Sequence, residues 1–152
     1  MERELTRSVT GGTAGALNVY VDSSILLRVV LGERGRLRIW PTISAVVASE
    51  LITLECLRTI DRARIRLGLA DQEVADRRAA VMEKIETFNL VPLAPAVLER
   101  AAEPFPTMLG SLDAIHLASA LLVRDRFDDL SFATHDQELA IAAKAVGFHV
   151  HR

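Results

Sequence analysis

Short apolar segments alternate with longer helical segments along most of the chain, and this alternation restricts the folds open to it. The segments "LNVYVDSS", "ISAVVAS", "NLVPL", "LSFAT" and "FHVH" have the length and apolar character of buried strands. The stretches between them carry apolar residues at helical spacing. Strands that alternate with helices in this way are typical of a mainly parallel sheet with helices on both faces. We therefore predict a single α/β domain.

Capping residues predict where several helices begin and end. Gly32, Gly68 and Gly147 each follow a helical segment, as expected at helix C-termini. Asp71 is predicted to cap the N-terminus of one helix, and Pro95 to open another.

One domain accounts for nearly all of the 152 residues. Residues 1–17 contain "TGGTAG" without apolar periodicity and are predicted to form a flexible tail before a domain over residues 18–152. The sequence has neither the ~18–20-residue apolar run of a membrane-spanning helix nor the apolar segment of a secretory signal. Cys56, the single cysteine, allows no internal disulfide and fits a reducing compartment. We expect a cytoplasmic protein that is not inserted in a membrane.

The charge pattern gives no overall basic signature for nucleic-acid binding, since the formal net charge is −2. Of the 18 basic residues only Lys84 and Lys144 are lysines, and several arginines cluster in sequence. The clustered residues are Arg34, Arg36, Arg38, Arg58, Arg62, Arg64 and Arg66. Such arginines most often form solvated faces, although guanidinium groups also make bidentate contacts with phosphates. This pattern does not assign any of these arginines to a nucleic-acid contact.

Three aspartates lie where strands end or helices begin. Asp22 ends the first strand, Asp136 follows the segment "LSFAT", and Asp113 lies in the first turn of the helix in "LGSLDAIHLASALL". Each has an ordinary explanation, because aspartate favours the N-terminal turn of a helix and its charge suits the helix dipole. In parallel sheets, however, ligands bind beyond the carboxyl ends of the strands, where these residues fall.

Glu55 is a fourth acidic residue, in the middle of the helix predicted from about Ser49 to Leu67. A surface ion pair with Arg58 is an equally good explanation for it. Glu50 lies roughly 140° away around the helix and is not expected to share a site with Glu55.

The four acids Asp22, Glu55, Asp113 and Asp136 are candidates for a common site at one sheet edge. Unpaired carboxylates in such a cluster would repel one another and raise one another's pKa values. A hard divalent cation removes this conflict, and Mg²⁺ characteristically binds a few carboxylates while keeping several waters. Such a site can activate water and neutralise charge on a phosphate.

The chain resembles the PIN-domain ribonucleases, specifically the VapC-type toxins of bacterial toxin–antitoxin pairs. The resemblance spans about residues 18–151 and rests on the order of four segments, each with an acid. These segments are "VYVDSSILLR", "SELITLECLRTIDR", "LGSLDAIHLASALL" and "FATHDQELAIAAKAVGFHV". It implies a three-layer α/β/α sandwich around a parallel sheet and an acidic cluster that holds Mg²⁺ or Mn²⁺.

Carried over to this chain, the resemblance assigns catalytic and metal-binding roles to Asp22, Glu55, Asp113 and Asp136. It gives Ser23 and Thr134 supporting roles, in which they orient carboxylates or bind metal-bound water. It further implies an RNA substrate, an antitoxin partner similar to VapB, and a homodimer. Hydrolysis by water would leave 5′-phosphate and 3′-hydroxyl ends. The alternative is a catalytically inactive PIN-like module that binds RNA or a protein partner.

Two nearby residues have simpler interpretations. His116 follows Asp113 by one turn, and a structural role at the edge of the core is favoured over catalysis. Cys56 has no partner pattern for nucleophilic catalysis and is predicted to pack in the core. Three other α/β classes are disfavoured. Receiver domains need an acidic pair at the first strand and a lysine that ends a late strand, whereas Lys144 is in a helix. Haloacid dehalogenase phosphatases need an Asp-x-Asp motif, and dinucleotide-binding domains need a glycine fingerprint after the first strand; neither is present.

Overall fold

A computed structural model describes residues 15–152. Within this range the chain forms five strands and six α-helices. The strands are β1 (Asn18–Val21), β2 (Ala45–Ser49), β3 (Asn89–Val91), β4 (Ser131–Ala133) and β5 (Val150–His151). The helices are α1 (Ser23–Val30), α2 (Leu51–Leu67), α3 (Asp71–Ile85), α4 (Pro95–Ala101), α5 (Ser111–Val123) and α6 (Gln137–Ala145). Two short 3₁₀ turns, Trp40–Thr42 and Arg124–Arg126, complete the described secondary structure.

The five strands form one sheet in the order β3-β2-β1-β4-β5, and every described pair is parallel. Strand β1 is central, with Val19 opposite Val46 of β2 on one side and Ser131 of β4 on the other. All four residues of β1 are fully buried, as expected for a strand that is covered on both faces. The predicted mainly parallel sheet is therefore confirmed.

Two hydrophobic clusters cover the two faces of the sheet. Tyr20 of β1 points into a cluster with residues of α4, α5 and α6, which include Leu117. Val19 and Val21 point the opposite way, into a cluster with α1, α2 and α3 that includes Ile52. Successive side chains of a strand alternate between faces, so one short strand supplies both cores. The result is the expected three-layer α/β/α sandwich.

The helix ends agree with the capping predictions at most positions. Helix α2 ends at Leu67, where Gly68 adopts a left-handed conformation with φ of 61°. Pro95 occupies the first turn of α4, as predicted. The prediction that Asp71 caps α3 is wrong, because Ala70 is extended and the helix already includes Asp71. The Asp71 carboxylate instead accepts a hydrogen bond from the guanidinium of Arg64.

The predicted tail over residues 1–17 lies largely outside the described residues. Leu17, its last residue, packs against the cluster around Val19, and its carbonyl accepts a hydrogen bond from the Ser44 backbone at 2.8 Å. Between residues 15 and 152, no helix has both the length and the apolar character needed to cross a lipid bilayer.

Candidate active site

Asp22 lies at the carboxyl end of the central strand, and the fold holds both of its carboxylate oxygens. Its side chain is 4% exposed, and it caps α1 by accepting a hydrogen bond from the Ile25 backbone at 3.2 Å. The same oxygen, Oδ1, accepts from the Ser24 hydroxyl at 2.6 Å. Oδ2 accepts from the Thr134 hydroxyl at 2.5 Å. Hydrogen bonds to an ionised carboxylate fix its orientation and offset part of the cost of burying it.

The loop after β4 aims the two hydroxyl groups at Asp22. The backbone N–H of His135 donates to Ser24 Oγ at 3.0 Å, and that of Asp136 donates to Thr134 Oγ1 at 3.0 Å. Each hydroxyl oxygen therefore accepts a hydrogen bond from the backbone, and its own O–H donates a hydrogen bond to one oxygen of Asp22. This arrangement is possible because β1 and β4 are parallel neighbours, so their carboxyl ends lie side by side.

Asp136 is placed by the start of the next helix. It caps α6, with Oδ1 accepting from the Leu139 backbone at 2.7 Å. Asp136 therefore has the helix-capping role that its position in the sequence also suggested. This role does not separate Asp136 from the site, because Thr134 links the backbone of Asp136 to the carboxylate of Asp22.

Glu55 points toward the buried edge of α5 and not toward Arg58. Its Oε1 lies 2.5 Å from Nε2 of His116, and its Oε2 is 3.4 Å from the Ser23 hydroxyl. Arg58 pairs instead with Asp61 at 3.6 Å on the exposed surface. The alternative of a Glu55–Arg58 pair is therefore wrong.

Glu50, on the opposite side of α2, takes no part in this group. Its Oε1 accepts from the backbone N–H of Leu93 at 2.6 Å and ties the start of the helix to the loop after β3. This separation from Glu55 agrees with the angle predicted from the sequence.

Asp113 is in the first turn of α5 and is partly buried. Burial raises its pKa to about 6, and the charges of Asp136, Asp22 and Glu55 add to the increase, while His116 opposes it. Within residues 15–152, the Asp113 carboxylate has neither an ion pair nor a hydrogen bond to relieve this repulsion. The site thus contains negative charge that the described chain does not neutralise.

The four predicted acids lie close enough to act on one another electrostatically, but they do not form a closed cage. Among the described residues, no three carboxylate, imidazole or thiol side chains are grouped tightly enough to hold a metal ion by themselves. The arrangement instead consists of one firmly held carboxylate, Asp22, with Glu55, Asp113 and Asp136 around it.

Several contributors to this site were not singled out from the sequence. Ser24 is as close to Asp22 as Thr134 is, and its position two residues after the aspartate is a recognisable local signal. Tyr20, which binds Nδ1 of His116 at 2.9 Å, gives no such signal, because its partner is 96 residues away in sequence. His116 is buried and hydrogen-bonded at the edge of the core, as its structural interpretation expects.

Cys56, the neighbour of Glu55 in sequence, is fully buried among apolar side chains. Burial, together with the charges of Glu55 and Asp22, raises the pKa of its thiol to about 12. The thiol is therefore protonated at neutral pH and suited to packing rather than to nucleophilic chemistry.

A groove of about 260 Å³ opens beside Glu55. It is lined by Ser23 and Glu55 at one end, by Arg58 and Arg62 of α2, and by Leu112, the residue before Asp113. The groove joins Glu55 to two of the clustered arginines.

Comparison with known proteins identifies the family of this fold and site. The chain matches the PIN domain family over residues 19–145, and it belongs to that family. It is 26% identical over 132 residues to a protein named Ribonuclease VapC47 from Mycobacterium tuberculosis (strain CDC 1551 / Oshkosh), covering 86% of this chain and 93% of that protein. The resemblance to PIN domains predicted from the four segments is confirmed.

Solved structures share the same fold. The crystal structure of PAE2754 from Pyrobaculum aerophilum superposes with a TM-score of 0.63 at 21% identity, over 91% of this chain and 92% of that one. A toxin–antitoxin complex from Klebsiella pneumoniae superposes with a TM-score of 0.60 at 19% identity, over 81% of this chain and 91% of that one.

Proposed function

We propose that this protein is a metal-dependent endoribonuclease that hydrolyses RNA phosphodiester bonds and serves as the toxin of a toxin–antitoxin pair. Family membership and the similarity to Ribonuclease VapC47 support a nuclease of this kind. The main observation behind the proposal is the environment of the Asp113 carboxylate. Burial and, to a smaller extent, neighbouring carboxylates raise its pKa, and no cation within residues 15–152 pairs with it.

The residues present fit a hard divalent cation. All four acids offer carboxylate oxygens, the ligands that Mg²⁺ and Mn²⁺ accept, and an open group of acids suits an ion that keeps several waters. Asp22 and Asp113 would be the principal ligands of Mg²⁺, or of Mn²⁺, with Asp136 and Glu55 completing the set directly or through water. When bound, the cation supplies charge neutralisation at the phosphate and a lowered pKa for water.

The protein's own groups provide the fixed framework for the reaction. Ser24 and Thr134 hold Asp22 in one orientation, and Ser23 lies beside Glu55, so the carboxylates need not reorganise during the reaction. One of the carboxylates takes the proton of the attacking water. Water attacks the phosphorus in line, the P–O3′ bond breaks, and the 3′ oxygen takes up a proton, which leaves a 5′-phosphate and a 3′-hydroxyl.

The groove beside Glu55 is the candidate path for the RNA backbone. Arg58 and Arg62 line it, and guanidinium groups bind phosphates through paired hydrogen bonds. Arg58 shares an exposed ion pair with Asp61, which a phosphate can replace at little cost because such pairs contribute roughly 0–1 kcal/mol.

The partner we propose is a cognate antitoxin protein, and a homodimer is also expected. Exposed apolar side chains on α2 support a protein-binding surface, since Leu54 and Ile65 are 59% and 84% exposed. These residues are eleven positions apart, so they lie within roughly 20° of each other around the helix. Leu54 also lines the groove beside Glu55, so a protein bound there would cover the path proposed for RNA.

The test is cleavage of labelled single-stranded RNA by the purified protein with Mg²⁺ or Mn²⁺ and, in parallel, with EDTA. We expect cleavage that EDTA abolishes, and fragments that carry 5′-phosphate and 3′-hydroxyl ends. Fragments with 2′,3′-cyclic phosphates would contradict water attack. Absence of cleavage across several RNAs would favour the alternative, a PIN-like module that binds RNA or protein without turnover.

A further inference from the structure

Behind Glu55 lies a buried chain of hydrogen bonds that crosses from the sheet to α5. The backbone N–H of Ser49 in β2 donates to the Tyr20 hydroxyl oxygen at 3.1 Å. That oxygen lies 2.9 Å from Nδ1 of His116, and Nε2 of His116 lies 2.5 Å from Oε1 of Glu55. Tyr20 is fully buried and His116 is 1% exposed, so water does not compete for these positions.

The donors and acceptors in this chain restrict the protonation of His116. An ionised carboxylate only accepts hydrogen bonds, so the short contact with Glu55 requires a proton on Nε2. The Tyr20 oxygen already accepts from the backbone of Ser49, which leaves its own O–H free to donate. His116 Nδ1, at 2.9 Å, is an acceptor for that proton in the neutral imidazole.

We propose that His116 is a positioning residue that holds Glu55 through an Nε2–H, and that Tyr20 fixes the imidazole ring by donating to the unprotonated Nδ1. The Nε2–H donor fixes Oε1 of Glu55 at 2.5 Å. Oε2, which has only a long contact of 3.4 Å with Ser23, is then the oxygen left to face the divalent cation. This inference rests on the proposed function for the identity of the cation, but not for the tautomer.

Ser119 is a competing acceptor for the hydroxyl proton of Tyr20. It lies near Tyr20, and its hydroxyl donates to the Ile115 carbonyl at 2.7 Å, so its oxygen can also accept. If Tyr20 donated to Ser119 instead, Nδ1 of His116 would carry a proton and donate to the Tyr20 oxygen. Both ring nitrogens of His116 would then carry a proton, whereas the proposed arrangement leaves Nδ1 unprotonated.

Nitrogen NMR of the metal-free protein distinguishes these arrangements. A long-range ¹H–¹⁵N spectrum of the four histidines reports which ring nitrogen carries a proton, and His116→Gln identifies the signal by its loss. We expect a protonated Nε2 and an unprotonated Nδ1 in the wild type, and in Tyr20→Phe a changed Nδ1 signal, because that nitrogen loses its donor while Glu55 still binds Nε2–H. Protonation of both nitrogens, an Nδ1–H tautomer, or a Tyr20→Phe spectrum identical to wild type would overturn the proposal.

Mn²⁺ affinity tests the positioning of Glu55. His116→Leu removes the donor to Glu55 and should weaken Mn²⁺ binding about 10-fold or more, the usual effect of losing an outer hydrogen bond to a metal ligand. His116→Gln keeps an N–H donor at a similar reach and should recover most of that loss. Equal affinity of both variants to wild type would contradict the role of His116.

Leu117→Ala is the matched control, since Leu117 is the next residue of α5, is fully buried and carries an apolar side chain that packs in the core cluster. Leu117→Ala should lose stability but removes no hydrogen-bonding group from the chain that joins Tyr20, His116 and Glu55, so it should bind Mn²⁺ as wild type does. An affinity loss in Leu117→Ala equal to that in His116→Leu would show that destabilisation alone explains the effect. A wild type that binds no Mn²⁺ would contradict the proposed function. The NMR spectrum of the metal-free protein would still test whether His116 and Tyr20 have the proposed hydrogen bonds.

Discussion

Replacement of Asp113 by asparagine should stabilise the metal-free protein at neutral pH. Burial and the charges of Asp136 and Asp22 raise the pKa of Asp113 from 3.8 to about 6, so folding favours its protonated form. That favourable contribution is complete below pH 4 and is lost as the pH rises to about 6. A shift of about two pKa units corresponds to roughly 3 kcal/mol, and solvent screening of this partly exposed group reduces the effect to about 1–2 kcal/mol.

The assay is chemical denaturation between pH 4 and pH 8 in the absence of divalent metal. Asp113→Asn should be more stable than wild type by about 1–2 kcal/mol above pH 6, and the difference should diminish toward pH 4. Glu73→Gln is the control, because Glu73 occupies the equivalent third position of α3 and is exposed. It reports the loss of a charge at a helix N-terminus without the neighbouring acids.

The same proteins should respond differently to Mg²⁺. A cation that binds only the folded state raises the free energy of unfolding by mass action. Wild type and Glu73→Gln should therefore gain stability with Mg²⁺, while Asp113→Asn should gain much less. An Asp113→Asn protein that is less stable than wild type at pH 7 without metal, or that gains as much from Mg²⁺, would refute this reasoning.

Three further predictions concern the support of the site and the core. Thr134→Val removes the hydroxyl donor to buried Asp22 and should lower the free energy of unfolding by about 2 kcal/mol, measured by chemical denaturation. Thr134→Ser keeps the hydroxyl and should restore most of that loss. Equal stability of wild type and both variants would contradict a stabilising hydrogen bond. Cys56, with a thiol pKa near 12, should react with a thiol reagent at pH 8 only after unfolding, and stoichiometric labelling of the native protein would disprove its burial. Leu117→Ala should lower the free energy of unfolding by about 2–5 kcal/mol. Leu122→Ala, at a position 38% exposed on the same helix, should lower it clearly less. Similar losses would contradict the assignment of Leu117 to the buried face of α5.

Local patterns were sufficient to predict most of the fold. Alternating strands and helices predicted the parallel sheet, and Gly68 and Pro95 marked helix ends that the structure has at the same positions. The error at Asp71 is of one residue, since aspartate suits both the capping position and the first turn of a helix. Local propensity alone does not separate these two positions.

Side-chain pairings across the fold were harder to predict. From the sequence, an ion pair with Arg58 on the same helix explained Glu55 as well as a shared acidic site did, because sequence spacing contains no information about contacts with α5. The fold instead brings His116 to Glu55 across 61 positions and Tyr20 to His116 across 96. The four acids could be named as a set, but which groups hold each of them depends on the register of β1 against β4. Their catalytic and metal-binding roles stay predictions.

The most direct test of the central claim is RNA cleavage under single-turnover conditions with Mn²⁺, measured for wild type, Asp113→Asn and Glu73→Gln. If the four acids hold the cation that cleavage requires, wild type and Glu73→Gln should cut at similar rates, and Asp113→Asn should be folded but inactive. Cleavage by Asp113→Asn at the wild-type rate, or cleavage by wild type that persists in EDTA, would contradict the account.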